Sequence, residues 1–290
     1  MYHLIISQEN CKKKQRKLDD VKAVFDASGK DYEVHVTASK QDVKDITAAL
    51  TSDSGNDVIV LGGDGTLHDV LNSFVDFENN ALGLIPFGTG NDFAGAVRVP
   101  NDAKKAAELI IGSSPEPVDF IEFESGLRSL NAFGMGIDVD VLEHTYSGKN
   151  KKRSKYLHAL IVSLIKFKSH NFTVRYNGRE ERHFGLIAAV GNGKQFGGGI
   201  KMFPDATPDD GYLDLIIVDF ISKIKMIGAF LKLMRGKVNS LKQATVVKVK
   251  EVEFIPDESD FLFQADGELY ENIPMKAKIV TGKLKFFTAI

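Results

Sequence analysis

The chain contains 290 residues, of which 43% are hydrophobic and 26% charged, and its formal net charge is −2. This length and composition favour a soluble globular protein of two domains. The single cysteine, Cys11, excludes an internal disulfide framework and a cysteine-rich zinc site, which fits a cytoplasmic protein. The amino terminus does not have the pattern of a signal peptide, and no apolar run reaches the roughly 18 residues that span a bilayer.

The first part of the chain alternates between strand-like and helix-like patterns. The patterns predict strands over residues 4–7, 32–37, 57–61 and 81–85. They predict helices over residues 11–28, 41–50, 67–75 and 100–111. An alternation of this kind is typical of an α/β layer with parallel strands.

The pattern changes after Pro115-Glu116-Pro117. Strands are predicted over residues 118–124, 172–176, 184–190, 212–218, 245–252, 260–264 and 276–281. Helices are fewer and are predicted over residues 153–168 and 222–236. We therefore predict an α/β domain over residues 1–116 and a mainly antiparallel β domain over residues 117–290, with the last strand a candidate to return to the first domain.

Two glycine-rich loops follow successive strands of the predicted parallel sheet. The first is Gly62-Gly63-Asp64-Gly65-Thr66, which runs into a helix. Glycines let the backbone approach a ligand, and the amides at a helix start favour phosphate, so this loop predicts a nucleotide site with Asp64 near the transferred phosphoryl group. A tight turn without a ligand is the alternative.

The second loop is Gly88-Thr89-Gly90-Asn91-Asp92. In a parallel sheet both loops lie at the carboxyl ends of strands, where ligands bind. Asn91 or Asp92 could instead serve only to cap the next helix. Capping and contact with a ligand are compatible.

Together with four further segments, these loops resemble the bacterial YegS/diacylglycerol kinase catalytic-domain family, which is related to sphingosine, ceramide and NAD kinases. The further segments are residues 131–136, 191–193, 209–214 and 265–268. The resemblance implies an N-terminal three-layer α/β domain and a C-terminal β-sandwich domain of the NAD kinase/diacylglycerol kinase type. It also implies ATP and Mg²⁺ as cofactors.

The resemblance assigns nucleotide contacts to residues of the two loops and to one strand end. They are Thr37, Gly62, Gly63, Asp64, Gly65, Thr66, Leu67, His68, Thr89, Asn91 and Asp92. It makes Asp64 a catalytic residue that acts through Mg²⁺ or water, and it makes Glu268 the general base that takes the proton from the substrate hydroxyl. Considered alone, Glu268 would be an exposed carboxylate in an Asp-Gly hairpin turn.

The resemblance also implies a structural Mg²⁺ site at Thr207, Asp210 and Tyr212, with backbone carbonyls among the ligands. The same residues, without the family, would be an ordinary turn. The resemblance is compatible with a homodimer, and no motif indicates nucleic-acid binding.

Basic residues are concentrated in segments without any acidic residue, at positions 144–179 and 220–250, and in the cluster Lys12, Lys13, Lys14, Arg16 and Lys17. Lys149 to Lys155 precede the apolar stretch 156–165, a combination typical of a surface that docks on anionic phospholipid. A solvated loop followed by a packed helix is the alternative. We therefore expect a cytoplasmic protein that associates peripherally with the membrane and acts on a lipid there.

The resemblance thus predicts an ATP- and Mg²⁺-dependent kinase that phosphorylates a lipid hydroxyl in phospholipid metabolism, with diacylglycerol as the first candidate and phosphatidate as product. An NAD-kinase-like activity on a nucleotide is one alternative, although the Asn-Glu acceptor motif of that family is not found downstream of the first loop. A non-catalytic lipid- or nucleotide-sensing protein is the other.

Overall fold

A computed structural model describes residues 1–7, 12–146, 167, 169–197 and 199–290. The chain forms two compact units. The first unit contains Met1–Phe120, Pro208–Asp210 and Val280–Ile290, and the second contains Ile121–Thr207 and Gly211–Ile279. No helix among the described residues has the length and apolar character needed to cross a membrane.

The first unit is built on a parallel sheet. Its strands are β1 (Tyr2–Ser7), β2 (Tyr32–Thr37), β3 (Asp57–Gly62) and β4 (Ala81–Pro86). Their order is β4-β3-β1-β2, and residues Lys285–Phe286 of the last strand pair in parallel with Ala81–Leu82 of β4. Strands β1, β3 and β4 are buried on both faces, which explains their nearly continuous apolar sequences, whereas the edge strand β2 is only partly buried.

The helices of the first unit cover both faces of this sheet. They are α1 (Lys12–Ser28), α2 (Lys40–Ser52), α3 (Asp64–Ser73), α4 (Asp92–Ala96) and α5 (Ala103–Gly112). Because β2 and β3 lie on opposite sides of β1, right-handed crossovers place α1 and α2 on opposite faces. In agreement, α1 packs with α5, and α2 packs with α3.

Local sequence explains several helix boundaries. Helix α2 begins after Ser39, which forms a reciprocal capping box with Asp42. Helix α5 begins after Asp102, whose carboxylate accepts from Lys105 N at 3.0 Å. Helix α3 begins at Asp64, three residues before the predicted start, because extended Gly63 is its N-cap.

The second unit is mainly antiparallel and β-sandwich-like. Its strands are β5 (Glu116–Phe123, shared with the first unit), β6 (Arg128–Ser129), β7 (Ala132–Gly136), β8 (His170–Tyr176), β9 (Arg179–Gly191), β10 (Leu213–Asp219), β11 (Ala244–Val249), β12 (Glu251–Pro256), β13 (Leu262–Ala265), β14 (Glu268–Glu271) and the first part of β15 (Met275–Phe286). Its helices are α6 (Ile137–Tyr146) and α7 (Lys223–Met234). The sandwich core contains contacting aromatic rings of Phe123, Phe133, Phe254 and Phe263.

The structure revises several predicted elements of this unit. The single strand predicted over 245–252 is two strands, β11 and β12, because β11 pairs with β10 while β12 pairs with β8 and β15. Strand β9 extends back to Arg179, since the turn at Asn177-Gly178, with φ of 48° and 74°, joins it to β8 as a hairpin. The predicted helix over 153–168 and the basic and apolar segments between Lys149 and residue 165 lie outside the described residues, apart from Phe167.

Candidate active site

The two glycine-rich loops leave the sheet side by side. Strands β3 and β4 are parallel neighbours, and their last residues, Gly62 and Pro86, are in register. The Gly62 carbonyl accepts hydrogen bonds from Phe87 N at 2.8 Å and from Gly88 N at 3.3 Å. The sequence prediction that both loops lie at the same carboxyl edge is thereby confirmed.

The loops also touch backbone to backbone. A Cβ atom on Gly88 would lie 2.7 Å from the Gly63 Cα and 2.6 Å from Asn91 Oδ1, whereas a Cβ on Gly63 would lie 3.1 Å from the Gly88 Cα. Neither glycine has a positive φ in the structure, so close approach, and not backbone conformation, is the reason for glycine here. A side chain on Gly88 would collide with the first loop, so glycine at this position keeps the two loops in contact.

Asp64 fastens the second loop to the first. Its carboxylate accepts hydrogen bonds from Asp92 N (3.1 Å to Oδ2) and from Phe93 N (3.2 Å to Oδ1). These amides begin helix α4, so Asp64 caps that helix from another element. Carboxylate oxygens are ligands that Mg²⁺ prefers, and the binding of Mg²⁺ or a metal-bound water by Asp64 stays a prediction.

The other predicted nucleotide residues differ in exposure. Thr89 at the tip of the second loop is exposed, and Gly65 and Thr66 lie in the half-buried first turn of α3. Asn91 adopts φ 53° and donates through Nδ2 to the Gly88 carbonyl at 3.1 Å. This hydrogen bond lies within the second loop and stabilises its turn.

Four side chains that were predicted to contact the nucleotide are buried. Thr37 is 1% exposed and donates to the Ile6 carbonyl at 3.3 Å, Leu67 is 1% exposed, and His68 is 2% exposed with Nε2 3.3 Å from Asn72 Nδ2. Asp92, in the second loop, is also buried. Their contact with nucleotide stays a prediction.

Lys17 contacts the second loop, which the sequence did not predict. It belongs to the basic cluster proposed to face lipid, but its Nζ donates to the Pro86 carbonyl at 3.2 Å and lies 5.0 Å from the centre of the Phe87 ring. Lys17 therefore binds the base of the second loop from helix α1. No local signal in the sequence indicates this contact.

In the second unit, the predicted base Glu268 follows a tight turn. Asp266 and Gly267 have φ of 51° and 85°, as a two-residue type I′ hairpin between β13 and β14 requires. Glu268 is the first residue of β14 and is half-buried. Its position is therefore determined by the turn that precedes it.

The Asp266 carboxylate anchors this turn to a second segment, residues 129–132. It accepts hydrogen bonds from Ser129 Oγ, Leu130 N, Asn131 N and Ala132 N at distances of 2.7, 2.9, 2.8 and 3.2 Å. The Asn131 carbonyl in turn accepts from Asn192 N at 2.8 Å and from Gly193 N at 3.1 Å. Three of the motifs that carried the family resemblance therefore meet around one aspartate.

The buried carboxyl group of Asp138 is linked to the Asp266-Gly267 turn through Gln264. Gln264 donates through Nε2 to Asp138 Oδ2 at 3.2 Å, and its Oε1 accepts from Gly267 N at 3.1 Å. Burial raises the pKa of Asp138 to about 7, partly offset by the hydrogen bond from Gln264. Sequence reasoning missed Asp138 and Gln264, because neither carries a motif by itself.

The predicted structural metal residues lie in one turn of the chain. The Pro208 carbonyl in this turn accepts from Asp119 N at 2.7 Å, Gly211 has φ +75°, and the Tyr212 ring lies 5.2 Å from Lys250 Nζ. The Asp210 carboxylate and the carbonyls of Thr207 and Tyr212 are oxygen donors, the type that Mg²⁺ prefers. Binding of Mg²⁺ by these residues stays a prediction.

Comparisons with known proteins agree with this arrangement. The family model described as "Diacylglycerol kinase catalytic domain" matches residues 2–123, and the one described as "YegS C-terminal NAD kinase beta sandwich-like domain" matches residues 131–288. Among solved structures, a diacylglycerol kinase from Bacillus anthracis superposes with a TM-score of 0.80 at 24% identity, covering 99% of this chain and 96% of that chain. An NAD kinase from Archaeoglobus fulgidus in complex with ATP gives a TM-score of 0.50 at 15% identity, covering 99% and 94%.

These likenesses define the class of protein: the chain has an α/β unit and a β-sandwich-like unit with the fold of diacylglycerol and NAD kinases. The chain belongs to the YegS-like branch of the diacylglycerol kinase family, since the YegS-type C-terminal model covers more than half of it.

Two curated relatives illustrate that membership. A Stenotrophomonas maltophilia protein named "Probable lipid kinase YegS-like" is 31% identical over 285 residues, covering 92% of this chain and 90% of the relative. A Xanthomonas oryzae pv. oryzae protein of the same name is 35% identical over 201 residues, and the match spans 66% of this chain and 65% of that relative.

Proposed function

We propose that this chain transfers the γ-phosphate of ATP to a lipid hydroxyl, with diacylglycerol as the acceptor and phosphatidate as the product. The observation that carries the proposal is the pair of glycine loops in backbone contact at the carboxyl edge of the parallel sheet. A bare backbone at that edge, followed by the start of helix α3, suits the close approach of a triphosphate.

The roles of the chain follow from its contacts. Asp64 holds the two loops together, while the exposed Thr89 hydroxyl and the first turn of α3 face the space into which phosphates would enter. Mg²⁺, when bound with ATP, neutralises charge on the phosphates. Glu268 takes the proton from the acceptor hydroxyl as that oxygen attacks phosphorus, and ADP leaves.

The decisive experiment is a transfer assay with Glu268→Gln. We expect a loss of about 100-fold or more in lipid phosphorylation, since general-base groups contribute that much, with nucleotide affinity retained. Glu271→Gln, at the exposed end of the same strand, is the matched control and should keep full activity. Undiminished transfer by the Glu268 variant would show that Glu268 is not the general base.

The same assay distinguishes the acceptors. Purified protein is given γ-labelled ATP with diacylglycerol vesicles, with NAD, or with an extract of membrane lipids. Label in phosphatidate supports the proposal, label in NADP overturns it in favour of the nucleotide kinase, and nucleotide binding without label in any acceptor indicates a sensing protein.

The second unit also offers a surface that suits a lipid bilayer. Phe184 and Phe220 are 48% and 53% exposed, and their rings stack 5.6 Å apart. The basic segment that contains helix α7 starts at this aromatic pair, with Lys223 and Lys225 exposed. Exposed aromatic rings beside lysines favour the interface of an anionic membrane, so we propose that the protein docks there.

A further inference from the structure

The amino-terminal half of the parallel sheet contains a cluster that the proposed kinase chemistry does not use. His3 on β1 and Glu33 and His35 on β2 point to the same face, since Glu33 and His35 are two residues apart on the neighbouring strand. Among the described residues, it is the one group of three His, Cys, Asp or Glu side chains with mutually close ligand atoms.

The three ligand atoms form a compact triangle. His3 Nδ1 lies 3.0 Å from His35 Nε2, and Glu33 Oε2 lies 3.8 Å from each of these nitrogens. A point equidistant from the three atoms is about 2.1 Å from each, which is the length of Zn–N and Zn–O bonds in proteins.

The surroundings orient His3 for coordination. Asn56 donates through Nδ2 to the Leu50 carbonyl at 2.8 Å, so its Oδ1 is the atom that faces His3 Nε2 at 3.1 Å. His3 Nε2 must therefore carry the proton, and Nδ1 presents its lone pair to the centre of the triangle. An outer partner that fixes the tautomer in this way is typical of metal-ligating histidines.

His35 is suited to the same role. Its Nε2 atom is one corner of the triangle, 3.0 Å from His3 Nδ1 and 3.8 Å from Glu33 Oε2. Coordination by Nε2 needs only that the ring proton shift to Nδ1, which leaves the charge of the ring unchanged. The Glu33 side chain is 55% exposed, which leaves a path for an ion from solvent.

We infer that His3, Glu33 and His35 form a binding site for a transition-metal ion of the Zn²⁺ class, with water completing the coordination. Two imidazoles and one carboxylate suit Zn²⁺, Co²⁺, Ni²⁺ or Cu²⁺ and disfavour Mg²⁺. His3 and Glu33 are the second residues of β1 and β2, and His35 lies two residues before Thr37, whereas the glycine loops follow the ends of β3 and β4. The site is therefore distinct from the glycine loops, and its role is to clamp the edge strand β2 onto β1.

The test uses the full chain without a polyhistidine tag. Zn²⁺ affinity is measured by competition with a chromophoric indicator, and Co²⁺ is added to record visible d–d absorption. We expect stoichiometric binding, at least about tenfold weaker in Glu33→Gln and in His35→Gln.

His170→Gln is the matched control, because His170 is half-exposed and paired with a carboxylate, Glu258 at 3.0 Å, but has no third ligand group beside it among the described residues. It should bind as the parent does. Thermal unfolding of each variant without metal verifies folding. Equal Zn²⁺ affinity in the parent and both ligand variants, or a loss confined to the His170 variant, overturns the site.

Discussion

Asp64 and Asp266, each followed by a glycine, have similar structural roles. Asp64 accepts from two amides at the start of α4, and Asp266 accepts from three amides and a hydroxyl in residues 129–132. Each carboxylate thereby joins a glycine-rich turn to a second segment. The chemistry proposed for Asp64 and for Glu268 thus depends on backbone positions that these hydrogen bonds hold.

Asp138 gives a prediction about pH. Its pKa is raised by burial from 3.8 to about 7, so between those values the folded protein keeps a proton that the unfolded chain has lost. This residue therefore makes the free energy of unfolding fall by about 1.4 kcal/mol per pH unit as pH rises through that window, with no further change above it.

Asp138→Asn removes this titration while keeping an acceptor for Gln264. Relative to the parent, the variant should gain stability as pH rises from about 5 to about 8, as measured by urea unfolding at each pH. Asp205→Asn, at an exposed aspartate of the same unit, serves as the control. A stability difference that is constant with pH would show that Asp138 does not titrate in this range.

Sequence motifs predicted the candidate site but not the residues that support it. The glycine loops were predicted because glycine lets backbones approach closely, and Glu268 was predicted from the family resemblance. The contacts of Lys17 with Pro86 and of Gln264 with Asp138 join residues 69 and 126 positions apart. Such pairings depend on the tertiary fold, and one sequence contains no signal for them.

At the scale of elements, the ends of β3 and β4 form the central feature of the first unit. Gly88→Ala inserts a methyl group 2.7 Å from the Gly63 Cα, and backbone cannot move aside as a flexible side chain would. We expect a stability loss of about 1–3 kcal/mol and weaker ATP binding, because the loops must separate.

Calorimetric titration with ATP and urea unfolding measure both effects. Gly112→Ala is the control, since a Cβ at that helix-terminal position meets nothing within 4 Å. Full ATP affinity in the Gly88 variant would mean that the contact between the loops is not needed for nucleotide binding.

Periodicity predicted the α/β alternation and the β-rich character of the second half. It was less accurate for the boundaries of individual helices and strands. Helix α6 was not predicted. It begins directly after strand β7, which is extended and ends at Gly136, whose φ is +111°. The division of residues 245–252 into β11 and β12 follows from which neighbours each strand pairs with. Pairing partners are a tertiary property, so the apolar pattern alone indicated one strand.

For the whole molecule, the exposed aromatic pair and the basic segment predict membrane association. The double variant Phe184→Ser/Phe220→Ser should bind phosphatidylserine vesicles at least about tenfold more weakly, because two aromatic rings no longer enter the interface. Binding of the parent should also fall as salt rises, since the lysines act through screened charge.

Cosedimentation with phosphatidylserine and with neutral phosphatidylcholine vesicles measures both effects. Val75→Ser, which removes an exposed apolar side chain of the first unit, is the control and should bind normally. Equal binding by the double variant and the parent would exclude these two rings from docking.

The last strand has a consequence for how the protein is made. Residues 285–286 supply the neighbour of β4 in the first unit, and Phe287 N and Thr288 Oγ1 bond to the carbonyls of Leu82 and Val97. During translation the edge of β4, with Leu82 and Leu84 fully buried in the finished fold, has no such cover until residues 285–288 have been synthesised. The nascent sheet therefore cannot complete its hydrogen bonding until long after β4 has emerged, and a chaperone has that interval in which to act.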